Sequence, residues 1–147
     1  MTNFAQNEIY DIEFHFEHSR RIPNHFIDVK INRHGNEVTL NVKTKSSQES
    51  EKWTKENIDT SFTISTEKFQ TLINSVKNIS CNDIIKNIGL TGLDGTVCEL
   101  MFGDYASSIT YKIWTPSYDT QKRNLTEFLD CCSLILKTAG LVPSLIY

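Results

Sequence analysis

Long apolar runs are missing from this chain. No stretch approaches the roughly 18 consecutive apolar residues that a spanning helix requires, so the sequence predicts no membrane segment. The opening MTNFAQNEIYDIEF lacks a basic region followed by an apolar run, and no signal peptide is expected from it. Charge of one sign is also scarce. Asp and Glu number 18 against 15 Lys and Arg, a formal net charge of −3. Nucleic-acid binders usually carry a basic face, so this balance argues against that class. Cysteine is limited to Cys81, Cys98, Cys131 and Cys132, with no CxxC pair and no histidine at zinc-finger spacing. These are expected to be free thiols in a reducing cytoplasm, with no cofactor or metal implied.

What is present is alternation. With 147 residues, 39% of them hydrophobic, the chain is expected to form a single domain over 1–147 with a core of its own. In IYDIEFHFEH, Tyr10, Ile12, Phe14 and Phe16 share one face of a strand, and Asp11, Glu13, His15 and Glu17 share the other. HFIDVKINRHGNEVTLNVKTK reads as a hairpin: Ile27, Val29 and Ile31 answer Val38, Leu40 and Val42 across a turn at Arg33–Asn36. Ser46 to Asn57 is a polar loop holding Trp53. Asp59 to Ser65 is a short strand with Phe62 and Ile64 inward.

A helix is expected over Thr66–Ile79, capped by Ser65 or Thr66, with Phe69, Leu72, Ile73 and Val76 as its apolar stripe. Strands follow at Thr96–Gly103 and Ser108–Thr115, where Pro116 stops the second. A final helix over Thr120–Ala139 is lined by Leu125, Phe128, Leu129, Cys132, Ile135, Leu136 and Ala139. It ends at Gly140, with Pro143 beyond. The order β-β-β-β-α-β-β-α with short connections predicts an α+β fold. It has two layers: a mostly antiparallel sheet of about six strands, and two helices on one face.

The stretch GLTGLDGTVCEL invites comparison with a phosphate cradle, which requires glycines leading into a helix N-terminus. Here they lead into a strand and no Lys-Ser or Lys-Thr follows, so Asp94-Gly95 is read as a turn. Glu13, His15 and Glu17 could hold a divalent cation, with His34 or Asp94 brought near by the fold. The same pattern is also that of a solvated strand face. Cys98, Cys131 and Cys132 sit on core elements, and no GxSxG elbow is present. RRIPNH, Arg20 to His25, reads as an exposed connector able to touch an anion. Trp114, Tyr118 and Arg123 are residue types that dominate binding hot spots, although Trp114 could equally pack under the loop containing Pro116.

The run from FTISTEKFQTLI through GLDGTVCELMFG and ITYKIWTP to NLTEFLDCC, about residues 59 to 141, resembles the small bacterial immunity proteins of polymorphic and contact-dependent toxin systems. It does so in its layout of strand, helix, LDGT hairpin, Trp-Pro and terminal helix. The resemblance implies a cytoplasmic, non-enzymatic binding protein that silences a cognate, basic toxin domain by protein–protein contact. Its partner-binding surface is then expected at Asp11, Glu13 and Glu17 and at Trp114, Tyr118 and Asp119. The alternative is a small metal-dependent hydrolase or nuclease using Glu13, His15 and Glu17. A third reading is a subunit that only oligomerises, through the free sheet face or a sheet edge.

Overall fold

The structure is a computed structural model that describes residues 8–18, 25–45 and 57–147. The Arg20–His25 connector, apart from the start of the strand at His25, and the loop 46–56 with Trp53 lie outside the described residues.

One six-stranded antiparallel sheet forms the backbone of the domain. Its strands are β1 (Asp11–His18), β2 (His25–His34), β3 (Glu37–Lys45), β4 (Ile58–Ile64), β5 (Thr96–Gly103) and β6 (Ser108–Trp114). Their spatial order is β4-β3-β2-β1-β5-β6. The first four form a meander. The chain then crosses over through α1 (Thr66–Lys77) and the short α2 (Cys81–Ile85) and adds the β5–β6 hairpin beside β1. That crossover makes β1 a central strand. The long helix α3 (Thr126–Thr138) and a 3-10 turn at Pro143–Ile146 complete the layer of helices.

The alternation read from the sequence sets the two faces. Ile12, Phe14 and Phe16 of β1 stand opposite Ile31, Val29 and Ile27 of β2 and Phe102, Leu100 and Cys98 of β5. Most of these side chains are fully buried, together with Leu72, Phe69, Phe128, Ile135 and Leu136 of the helices. Both long helices therefore cover one face, and no helix among the described residues lies on the other. Ser65 caps α1, its hydroxyl accepting from the Lys68 N–H at 3.1 Å. Gly35 takes φ +62° in the β2–β3 turn and Gly140 φ +81° after α3, both left-handed conformations that cost glycine little.

Several expectations are corrected. The first helix stops at Lys77, and one further turn, α2, follows. A single turn is too short to show a period. The last helix begins at Thr126, not Thr120, because Asn124 is left-handed (φ +54°) and breaks the helical path. Ile9, not Tyr10, is buried at the start of β1. Phe62 is 38% exposed and Ile109 52% exposed, since β4 and β6 are the sheet edges, where the helix layer no longer covers the inner face. The LDGT segment is not a hairpin turn, because it joins the α2 region to β5.

Candidate functional site

The helix-free face is where the charged half of each strand points. Register places Glu99 of β5 and Asp28 of β2 on either side of His15. Glu13 lies between Lys30 and Met101, and Glu17 between Phe26 and Val97. The His15 ring is 3.8 Å from the Asp28 carboxylate and 3.9 Å from that of Glu17. The centre of this face is thus acidic, built from Glu13, Glu17, Asp28 and Glu99. Lys30 faces Glu13 from β2, Lys43 faces Asp28 from β3 and Lys112 faces Glu99 from β6, so three ammonium groups stand among the carboxylates and Glu17 alone has no lysine opposite it.

Trp114 closes the same face at one end. It stands opposite Val97, which in turn stands opposite Glu17, so Glu17 and Trp114 lie two strands apart in one row, roughly 10 Å. The glycines of GLTGLDGTVCEL explain how the indole is seated. A Cβ on Gly92 would run into the Trp114 ring, and one on Gly95 would lie 2.8 Å from its Nε1 and still closer to the Thr115 hydroxyl. The glycine-rich segment is therefore a bed for Trp114. The turn expected at Asp94-Gly95 is compatible with this, for Gly95 sits at φ +137°. The indole N–H is buried with no hydrogen-bond partner among the described residues. A shallow groove lined by Gly89, Leu90, Gly92, Val97, Lys112 and Trp114 runs beside the ring.

Arg123 organises the corner. It donates to four acceptors: Asn87 Oδ1 at 2.9 Å, Thr115 O at 2.6 Å, Tyr118 O at 2.9 Å and Trp114 O at 2.7 Å. Its guanidinium carbon lies 6.0 Å from the centre of the Trp114 ring. Partial burial lowers its pKa, and Asp119 opposes that shift. Asn87, itself buried, donates to Asp83 O and Arg123 O, so the two side chains latch the segment after α2 to the loop before α3. Three non-glycine residues of that loop, Thr115, Asp119 and Asn124, have positive φ. Such strain persists where the surroundings over-determine it, and it clusters at functional loops.

The sequence-predicted residues divide as follows. Trp114, Tyr118 and Asp119 share this corner, with Tyr118 edge-on to Trp114 at 6.3 Å between ring centres. Glu17 joins them through its row. Asp11 lies at the far end of β1, six residues or roughly 20 Å away. Trp114 packs on the glycines as well as against Tyr118 of the loop containing Pro116, and its side chain is half-buried at the edge of the face.

The metal set is not assembled. Among the described residues no three His, Cys, Asp or Glu side chains form a group able to hold a metal ion. His34 sits in the register beyond the Asp11 end of the sheet and Asp94 precedes β5 at the Glu17 end, so the two flank opposite ends of β1. Cys98, Cys131 and Cys132 are buried in the core. Burial raises the Cys131 thiol to about 11 and the Cys132 thiol well above its usual value, which leaves both protonated and inert.

Sequence reasoning missed an exposed apolar stretch beside the corner, Ile85 at the end of α2 and then Ile88, Leu90 and Leu93 of the following loop, of which Leu93 is 99% and Ile88 76% exposed. The signal was the pair of leucines between the glycines. Asp28 and Glu99 were missed as members of the acidic centre, because cross-strand neighbours follow from strand order and not from alternation. No family model matches the chain, and no curated protein matches it either. No helix among the described residues is long and apolar enough to cross a membrane.

Proposed function

We propose that this chain is an immunity-type inhibitor, a cytoplasmic binding protein that neutralises a cognate bacterial toxin domain by protein–protein contact. One juxtaposition carries the reading. An acidic centre (Glu13, Glu17, Asp28, Glu99) lies on the same face as Trp114, and an exposed apolar loop (Ile88, Leu90, Leu93) with Tyr118 borders it. Charge of one sign steers a partner of the other and raises the association rate, while desolvated aromatic and aliphatic anchors set the dissociation rate. A basic toxin domain with an apolar rim around its active site fits both parts. An apolar surface this exposed is otherwise a liability on a soluble domain.

The test is co-expression with the toxin domain encoded beside the gene, read as growth protection and as binding kinetics. Alanine at Trp114 or Tyr118, and Leu93→Asp at a fully exposed position, should each raise the dissociation rate more than tenfold, about 1.4 kcal/mol. Glu13→Lys with Glu17→Lys should chiefly lower the association rate, and more so at low salt. If folded variants at all these positions bind and protect as the parent does, the surface is wrong. If the neighbouring gene encodes no toxin-like domain and no specific protein is recovered in pull-downs, the inhibitor reading falls.

A further inference from the structure

The edge strand β4 carries little in its own sequence that would blunt a sheet edge. Its sequence, IDTSFTI, holds one charge, Asp59, with no lysine, no proline and no glycine. Its five central residues are exposed, and the two isoleucines at its ends are half-buried. Natural edges are usually protected by Lys, Pro, bulges or a covering element. The opposite edge, β6, does carry Lys112 and runs into Pro116.

The orientation of the β4 backbone follows from two side-chain contacts. The Ile58 N–H donates to the Thr44 hydroxyl of β3 at 3.1 Å, and Thr60 O accepts from the Asn41 amide of β3 at 3.2 Å. The even-numbered residues therefore turn their backbone groups toward β3. Asp59, Ser61 and Thr63 then turn theirs outward, in the alternation of an antiparallel ladder. No β-ladder among the described residues uses that outward edge.

We infer that the outward edge of β4 is a self-association surface, on which β4 of a second copy pairs antiparallel about a twofold axis at Ser61. The strand is self-complementary in this register. Asp59 meets Thr63 of the other copy, and Ser61 meets its own counterpart, so every outward N–H and C=O of those residues finds a partner. On the helix-covered side, Ile58 meets Ile64 and Thr60 meets Phe62, which covers the exposed Phe62 ring of each copy. On the other side, no two like charges face each other, because the single Asp59 lies opposite a threonine. Opposed like charges would disfavour the pairing, and their absence here removes that barrier. A second copy is the occupant because this register covers both exposed Phe62 rings, sets the end isoleucines against each other and opposes no like charges. The acidic face and the Trp114 corner stay free, since β4 and β6 are opposite edges of the sheet. The pairing is thus independent of the inhibitor reading.

Sedimentation across the micromolar range, with amide hydrogen exchange on the unmodified protein, tests this. The expected result is a concentration-dependent dimer in which the Asp59, Ser61 and Thr63 amides gain protection as the dimer forms. Ser61→Lys places two ammonium groups against each other at the axis and should give a folded monomer, which melts somewhat below the parent because the Asn41–Ser61 hydrogen bond and the linkage to dimerisation are both lost. Ser61→Ala should remain dimeric. A monomer at every concentration overturns the proposal. So does a dimer that persists in folded Ser61→Lys, or outward amides that exchange freely in the dimer. Edge amides that gain protection only when the toxin domain is added would assign the edge to a foreign strand and overturn the proposal as well. Should Ser61→Lys fail to fold, the exchange measurement on the unmodified chain decides alone.

Discussion

Arg123→Ala is the substitution that tests how the corner is held. The guanidinium serves four acceptors, three of them backbone carbonyls of a loop that is left-handed at Thr115, Asp119 and Asn124. A hydrogen bond from a charged donor contributes roughly 1.5–3 kcal/mol when buried. Arg123 is only partly buried, so about 1 kcal/mol per bond is the fitting figure after solvent screening, a gross loss of about 4 kcal/mol. Water replaces the bond at the exposed Tyr118 carbonyl. Relaxation of the freed loop returns part of the left-handed strain, about 1 kcal/mol for each residue that escapes. The net cost is then about 2–3 kcal/mol, a fall in Tm of about 5–10 °C for a domain of this size. Urea unfolding monitored by Trp fluorescence measures it. Arg123→Lys should recover little, since one ammonium cannot span a planar set of acceptors. An Asn87→Ala, Arg123→Ala double-mutant cycle should show coupling of about 1 kcal/mol. If Arg123→Ala costs less than about 0.5 kcal/mol, or Arg123→Lys restores full stability, the latch does not hold the loop.

Phe128 is buried in the stripe of α3, so Phe128→Asp should abolish the cooperative melt, because the carboxylate would be buried without a partner. A folded, soluble variant would contradict the two-layer packing. Gly95→Ala combines a strained φ with a clash against Thr115 and Trp114, and should cost more than about 2 kcal/mol by chemical denaturation. Gly35→Ala, where nothing crowds the added carbon, should cost only about 1 kcal/mol from the left-handed backbone. The raised Cys131 thiol predicts alkaline sensitivity. Its folded pKa of about 11 stands above the ordinary 9.0, so its contribution is complete below pH 9 and is lost as pH rises toward 11. The loss amounts to roughly 3 kcal/mol at most and should shrink in Cys131→Ala, measured against that variant's own stability at pH 8.

Alternation and amphipathy were enough to assign the strands, the two long helices and the face each strand buries. In IEFHFEH the alternation allows one inward set, Ile12, Phe14 and Phe16, because slipping by one residue would bury Glu13, His15 and Glu17. Local chemistry likewise fixed the Ser65 cap and the glycine positions at Gly35 and Gly140. Strand order was beyond local reading. Only the crossover that sets β5 beside β1 brings Glu99 to the acidic centre and Trp114 into the row of Glu17, since those contacts join residues some 80 to 100 positions apart in the chain. The same order leaves β4 at an edge, which is why Phe62, placed inward by its pattern, stays partly in solvent. Arg123 looked like a surface anchor because its residue type is common in hot spots. The fold instead turns it onto backbone carbonyls, which no periodicity encodes, for the acceptors exist only once the loop has closed around it.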